Sequence, residues 1–140
     1  MMIGMTVGEP SRMLNVTEMK ERVAHKVWQV LEELNEEYNA EFDFPRIEWC
    51  VIGTTAGRAW LGQWRIQLNE QLCKENLEDF INDTVPHEVA HLVAYKVFGD
   101  DGHGDGWRSV MRALGLNPTR CHDYETKNVN GKRSLKSMYR

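Results

Sequence analysis

His87, Glu88 and His91 stand in the order H-E-x-x-H, inside a segment whose apolar residues recur at helical spacing. Residues four apart on a helix share a face, one turn apart. Both imidazoles can then bind one zinc ion at about 2.0–2.1 Å. Glu88 leaves the same turn at a different angle, where it can reach a water on the metal without competing for it. That arrangement predicts metal-assisted peptide hydrolysis, in which the metal acidifies water and polarises the scissile carbonyl. Glu88 would move the proton from water to the leaving amine. Val85, Val89, Leu92 and Val93 predict that this helix is buried, and two histidines and a glutamate buried without a metal would be costly. The competing readings are a satisfied polar cluster without metal and a zinc-binding, non-catalytic regulatory or interaction module. Glu88 speaks against the module, because holding a metal does not require it.

A catalytic zinc takes three protein ligands and keeps a fourth position open. Downstream candidates for the third are Asp100, Asp101, His103, Asp105, His122 and Glu125. Ala94 and Val97 occupy the places of the glycine and histidine in the H-E-x-x-H-x-x-G-x-x-H pattern, which excludes a metzincin. The next helix offers Arg108 and Arg112 rather than a glutamate. His103 is the best placed, since Gly102 and Gly104 let the backbone turn and return its imidazole to the metal. The alternative for His103 is a solvent-exposed loop residue. Charge developing on a carbonyl oxygen needs a further donor; His122, Tyr124 and Tyr95 are candidates that no spacing supports.

These residues need elements to position them. Asn15 and Glu18 have the spacing of a capping box, and Met19, Val23, Val27, Val30, Leu31, Leu34 and Tyr38 follow at helical spacing. The pattern predicts an amphipathic helix over 16–39, with Glu32, Glu33, Glu36 and Glu37 on its solvated face. Residues 47–52 read as a strand, with a turn at Gly53-Thr54-Thr55. Residues 59–61 and 64–68 read as a hairpin closed by Gly62-Gln63. Alternation of Trp64, Ile66 and Leu68 with Arg65 and Gln67 predicts one covered face, and the strand 65–69 is a candidate edge for an extended peptide. Trp49, Trp60 and Trp64 are assigned to packing. Helical spacing returns over 77–98, where Pro86 must kink the helix or begin a new one near Asp83 or Thr84. Gly99 ends it. After the glycine-rich loop 99–106, Asp105 is expected to cap a last helix bearing Trp107, Val110, Met111 and Leu114, closed by Gly115.

The chain has 140 residues, 41% of them hydrophobic and 27% charged, as expected of one globular domain with a real core. Its net charge of −4 excludes a surface that is basic throughout. The N-terminus shows no secretion signal, and no apolar run reaches the roughly 18–20 residues of a membrane span, so a cytoplasmic location without membrane contact is expected. Cys50, Cys73 and Cys121 are odd in number and unpaired in sequence, which argues against a disulfide framework. Cys50 and Cys73 lie beside apolar residues and are expected to be buried thiols. The expected organisation is a flexible segment over 1–14, a domain over 15–125, and a basic, partly disordered tail over 126–140. Arg58, Arg65, Arg108, Arg112, Arg120 and the lysines and arginines of the tail are the groups that could meet phosphates.

The segment His87-Glu-Val-Ala-His91 followed by His103-Gly-Asp-Gly-Trp107 resembles the SprT-like, or Spartan-type, metalloproteases, in which H-E-x-x-H is followed downstream by H-G-x-x-W. The similarity runs through Thr55-Ala-Gly-Arg-Ala-Trp-Leu61, Arg65-Ile-Gln-Leu-Asn69, Leu114-Gly-Leu116 and Arg120-Cys-His-Asp-Tyr-Glu125, across residues 45–125. The resemblance implies a zincin-like α+β fold: a small antiparallel or mixed three-stranded sheet packed against helices, one bearing the H-E-x-x-H motif. It implies one zinc ion per chain held by His87, His91 and His103, with Glu88 as catalytic base. It also implies proteolysis of protein substrates bound or crosslinked to DNA, hence DNA as a partner and a nucleoid-associated location. Many bacterial relatives carry a C-terminal zinc ribbon; with no paired cysteines here, a minimal form without the ribbon is expected, which would suit a phage-encoded relative.

Overall fold

The computed structural model describes residues 15–118. The expectations for 1–14 and for 119–140, with Cys121, His122, Tyr124, Glu125 and the basic tail, lie outside the described residues.

Helix α1 (Val16–Tyr38) starts at a complete capping box: the Asn15 side chain accepts from the Glu18 amide at 2.8 Å, and the Glu18 carboxylate accepts from the Asn15 amide at 3.2 Å. Its apolar stripe of Met19, Val23, Val27, Val30, Leu31 and Leu34 is buried, as the spacing predicted. Asn39 ends the helix in the left-handed conformation.

Three short strands follow: β1 (Arg46–Glu48), β2 (Gly57–Trp60) and β3 (Arg65–Leu68). The sheet order is β1-β3-β2, with β1 parallel and β2 antiparallel to β3, so the sheet is mixed. Strand β3 is therefore central and cannot offer the open edge expected of it. That edge belongs to β2. Ile66 and Leu68 are fully buried, whereas Arg65 and Gln67 turn to Glu48 on the other face, at 3.2 and 2.8 Å. The strand expected over 47–52 stops at Glu48. Beyond it only the Val51 amide bonds the sheet, to the Leu68 carbonyl at 3.1 Å. The backbone is still alternating there, so Val51 points inward while Cys50 and Ile52 point to solvent. Cys50 is thus exposed, not buried; Cys73 is buried as expected.

The hairpin is longer than a two-residue turn. A 3-10 turn (Leu61–Gln63) is followed by Trp64 in the left-handed region at φ 51°, a costly conformation for a bulky side chain. Contacts hold it there: its indole donates to the Asp43 carbonyl at 2.6 Å, its ring stacks on Phe42, and Lys96 lies 5.0 Å over it. Trp49 stacks on Phe80 and Trp64 is half-buried, in keeping with packing roles. Trp60 departs from that expectation: it closes the edge strand on the face that carries Arg65, is exposed, and carries the Arg65 guanidinium 5.0 Å over its ring.

A short helix, α2 (Glu70–Glu75), has no counterpart in the expected elements. Asn69 caps it by accepting from the Leu72 amide, and its side-chain amide donates to the carbonyls of Gly53 and Thr55. The helical run that follows has three parts: α3 (Leu77–Asp79), a π-turn (Phe80–Thr84) and α4 (Val85–Phe98). Pro86 lies in the first turn of α4, one of the two placements its chemistry allowed. The π-turn delivers the Val85 amide to the Phe80 carbonyl just before that missing donor. Helix α5 (Asp105–Ala113) packs its buried Trp107, Val110 and Met111 against α4, and Gly115 closes it at φ 75°. No described helix is long and apolar enough to cross a membrane.

The two described thiols should react differently. Burial pushes the Cys73 thiol up to about 12, so alkylation of the native chain is expected to label Cys50 and spare Cys73 until the protein is unfolded. Peptide mass mapping reads this directly, and rapid native labelling of Cys73 would contradict the packing described.

Candidate metal centre

Helix α4 is buried along its whole first part, from Val85 to Ala94. Apolar residues on every side draw it into the core, and the polar residues of H-E-x-x-H go with it. His87 is 2% exposed, Glu88 0% and His91 3%. His103 reaches them from the loop between α4 and α5.

The three Nε2 atoms form a nearly equilateral triangle: His87 to His91 is 3.2 Å, His91 to His103 3.1 Å and His87 to His103 3.2 Å. Nitrogens about 2.0–2.1 Å from a tetrahedral zinc stand about 3.3–3.4 Å apart, so the triangle is close to one face of such a coordination sphere. Among the described residues these three form the group able to hold a metal ion. Asp100, Asp101 and Asp105 are not part of it, and His122 and Glu125 lie outside the described residues. Tyr95 is exposed on α4.

Glu88 supplies a second observation. Both carboxylate oxygens are buried, and neither has a hydrogen-bond partner among the described residues. Burial alone pushes this carboxyl up to about 8. A carboxylate so placed is compensated by a cation nearby, and the side chains beside it fit one. His91 is complementary: burial first, then the charge of His103, lowers it to about 3, while Asp100 and a backbone bond with Gly102 act the other way. Its imidazole is therefore neutral at physiological pH, the form that ligates metals.

Trp107 is the floor of the centre. Its ring lies 4.9, 5.5 and 4.6 Å, centroid to centroid, from those of His87, His91 and His103. Its indole nitrogen donates to the His87 carbonyl at 3.4 Å. The loop carrying His103 is organised by Asp100, which accepts from the Gly102 amide at 2.9 Å and from the Trp107 amide at 2.8 Å. Asp105, expected to cap α5, is instead its first residue, with its carboxylate on Arg108 at 3.0 Å. The capping acceptor is Asp100, whose proximity no local helix-start pattern shows; the sequence signal available was only an aspartate two residues before a glycine.

The opposite wall is strand β2. A Cβ on Gly57 would lie 3.2 Å from the Glu88 Cγ and 3.1 Å from both the Gln67 carbonyl oxygen and Leu68 Cδ2. The strand passes the stem of Glu88 so closely that any larger residue at 57 would push its neighbours back by a few tenths of an ångström.

Fold and site together define an α+β domain in which a buried H-E-x-x-H helix and a loop histidine converge into a three-histidine centre able to hold a metal ion. The family model described as SprT-like matches residues 27–126. Protein SprT of Escherichia fergusonii is 36% identical over 113 residues, covering 79% of this chain and 68% of that protein. Protein SprT of Pseudomonas putida is 38% identical over 112 residues (78% and 68%), and that of Vibrio atlanticus 37% over 121 residues (85% and 73%). The chain belongs to the SprT-like family. No solved structure matches it.

Because Trp107 is fully buried against all three imidazoles, Trp107→Ala is expected to lower folding stability by about 3–5 kcal/mol. Chemical denaturation measures this; a loss below about 1 kcal/mol would mean that the indole is not the floor described.

Proposed function

We propose that this chain is a zinc-dependent endopeptidase in which His87, His91 and His103 hold one zinc ion and Glu88 is the general base. The observation that carries the proposal is the convergence of three Nε2 atoms beside a buried carboxylate that has no hydrogen-bond partner among the described residues. Three imidazoles are a donor set that suits zinc and leaves a position open for chemistry. Zinc, when bound, supplies Lewis acidity: it lowers the pKa of water to about 7 and polarises a carbonyl.

The chain's own residues do the rest. Glu88 takes a proton from the attacking water and passes it to the leaving amine. The charge of a bound cation would offset the burial that raises its affinity for a proton, leaving the carboxylate ionised to accept one. Burial around it excludes bulk water and fixes its carboxylate relative to the histidines. Strand β2 orients the substrate. The Asn69 amide bonds the Ala56 carbonyl, and the register pairs Gly57 with Leu68 and Ala59 with Ile66. Antiparallel pairs alternate between bonded and non-bonded, so Gly57 and Ala59 turn their backbone groups to the open edge. An extended peptide adding to that edge lies alongside the residue that touches Glu88.

The substrate class inferred from the resemblance is protein bound or crosslinked to DNA. Peptide cleavage by the zinc-loaded chain, with single-stranded, double-stranded or no DNA, tests it: stimulation by DNA is expected, and DNA-independent cleavage would remove DNA from the proposal while leaving the peptidase. Glu88→Gln is expected to retain one zinc per chain while cleavage falls about 100-fold or more. Near-wild-type cleavage by that variant would sink the mechanism, and zinc binding without cleavage by the wild-type chain would favour the non-catalytic module.

A further inference from the structure

The loop that delivers His103 is short, rich in glycine and flanked by solvent-facing residues, yet its histidine sits within 3.2 Å of both helix-borne ligands. Glycines at 99, 102, 104 and 106 leave such a segment many conformations. Something must select one.

Asp100 does so from within the loop. One carboxylate oxygen accepts from the Gly102 amide at 2.9 Å and the other from the Trp107 amide at 2.8 Å, with a further backbone bond from Gly104. Donors before and after His103, and one within the first turn of α5, thus close around a single side chain. The packing leaves little freedom: a Cβ on Gly104 would lie 3.1 Å from the Asp100 carboxylate, and one on Gly106 2.9 Å from the Asp100 Cβ and 2.8 Å from the Phe98 Cβ. A second brace comes from α5, where the Arg108 guanidinium donates to the His103 carbonyl at 2.7 Å and to Asp105 at 3.0 Å.

We propose that Asp100 is the positioning residue for the third metal ligand, closing the loop around its carboxylate so that His103 is held at the two histidines of α4 before a metal arrives, with Arg108 as auxiliary brace. This rests on the reading of His87, His91 and His103 as the metal site. Asp100 is not itself a ligand, because its carboxylate oxygens are engaged by backbone amides; beside its charge effect on His91, it acts on the metal through the placement of His103. Residues that orient a ligand in this way change metal affinity by about 10- to 100-fold.

The test uses the full chain and needs no protease assay. Zinc affinity is measured by competition with a chromophoric chelator, and Co²⁺ absorption reports the ligand set at saturation. Asp100→Asn keeps the shape but leaves one oxygen to accept where there were two; it is expected to weaken zinc binding about 10- to 100-fold, while saturating Co²⁺ still gives the wild-type spectrum. Arg108→Gln is expected to weaken it less, and Asp101→Asn, on the exposed side of the loop, to leave it unchanged. In a His103→Ala background Asp100→Asn should cost much less than it does in the wild-type chain. Affinity within twofold of wild type for Asp100→Asn, or an equal loss with and without His103, overturns the clamp while leaving the metal site standing. A wild-type chain that takes up no metal overturns the site and the clamp together. Circular dichroism of each variant separates loss of α5 from loss of alignment: unfolding of α5 in Asp100→Asn would make its role structural and overturn the assignment.

Discussion

Helix α4 carries ionisable side chains through the most apolar part of the molecule. From Val85 to Ala94 every residue is buried, and among them are two imidazoles and a carboxylate. Water would solvate such groups; the core cannot, and a polar group buried without a partner costs several kcal/mol. The remaining architecture follows from that constraint. Trp107 closes the space below the imidazoles, the loop of Asp100 brings a third imidazole to the first two, and Gly57 lets a strand pass close enough to cover Glu88 without displacing it. A site of high polarity is thereby built with few polar neighbours, which keeps Glu88 basic and His91 neutral.

The sheet is small because its task is limited. Its centre, β3, buries Ile66 and Leu68 against the helices, and one flank, β1, is pinned by Arg65 and Gln67 on Glu48. The other flank, β2, stays unpaired along its outer side. Edge strands are usually blunted against unwanted pairing by brevity and charge; β2 has four residues and carries Arg58. The left-handed Trp64 turns the chain back from this edge into β3, and a ring stack, an indole hydrogen bond and a lysine ammonium stabilise that turn.

Much of this was legible before any coordinates. The Asn15–Glu18 pair marked the start of α1, and Pro86, which cannot donate a backbone hydrogen bond, had to kink the helix or open a new one; it opens α4. Histidines at 87 and 91 share a helix face by periodicity alone, and His103 was the best placed of six candidate third ligands, on a segment free to bend back, a choice that the family resemblance supported. What escaped was non-local. The run from Trp49 to Ile52 has strand composition but lies past the end of the ladder, so alternation persists while pairing does not, and Cys50 comes out to solvent. The central position of β3 depends on a parallel pairing with β1, which no residue within either strand encodes. Short α2 was hidden because six residues carry too little periodicity; its sign was Asn69, which reads as a turn residue unless the carbonyls of Gly53 and Thr55 are known to face it.

The three histidines lie on one contiguous stretch, from α4 through the loop to α5, whereas the strand that covers Glu88 comes from far upstream. Local contacts form quickly and close small loops at little entropic cost. The parallel pairing of β1 with β3 must wait until the whole of β2 and its connections lie between them. The ligand triangle is therefore closed by contacts local in the chain, and the wall over Glu88 by distant ones. A cut in the loop between α4 and α5 would part His103 from the other two histidines, whereas one between β3 and α4 would leave all three on a single piece.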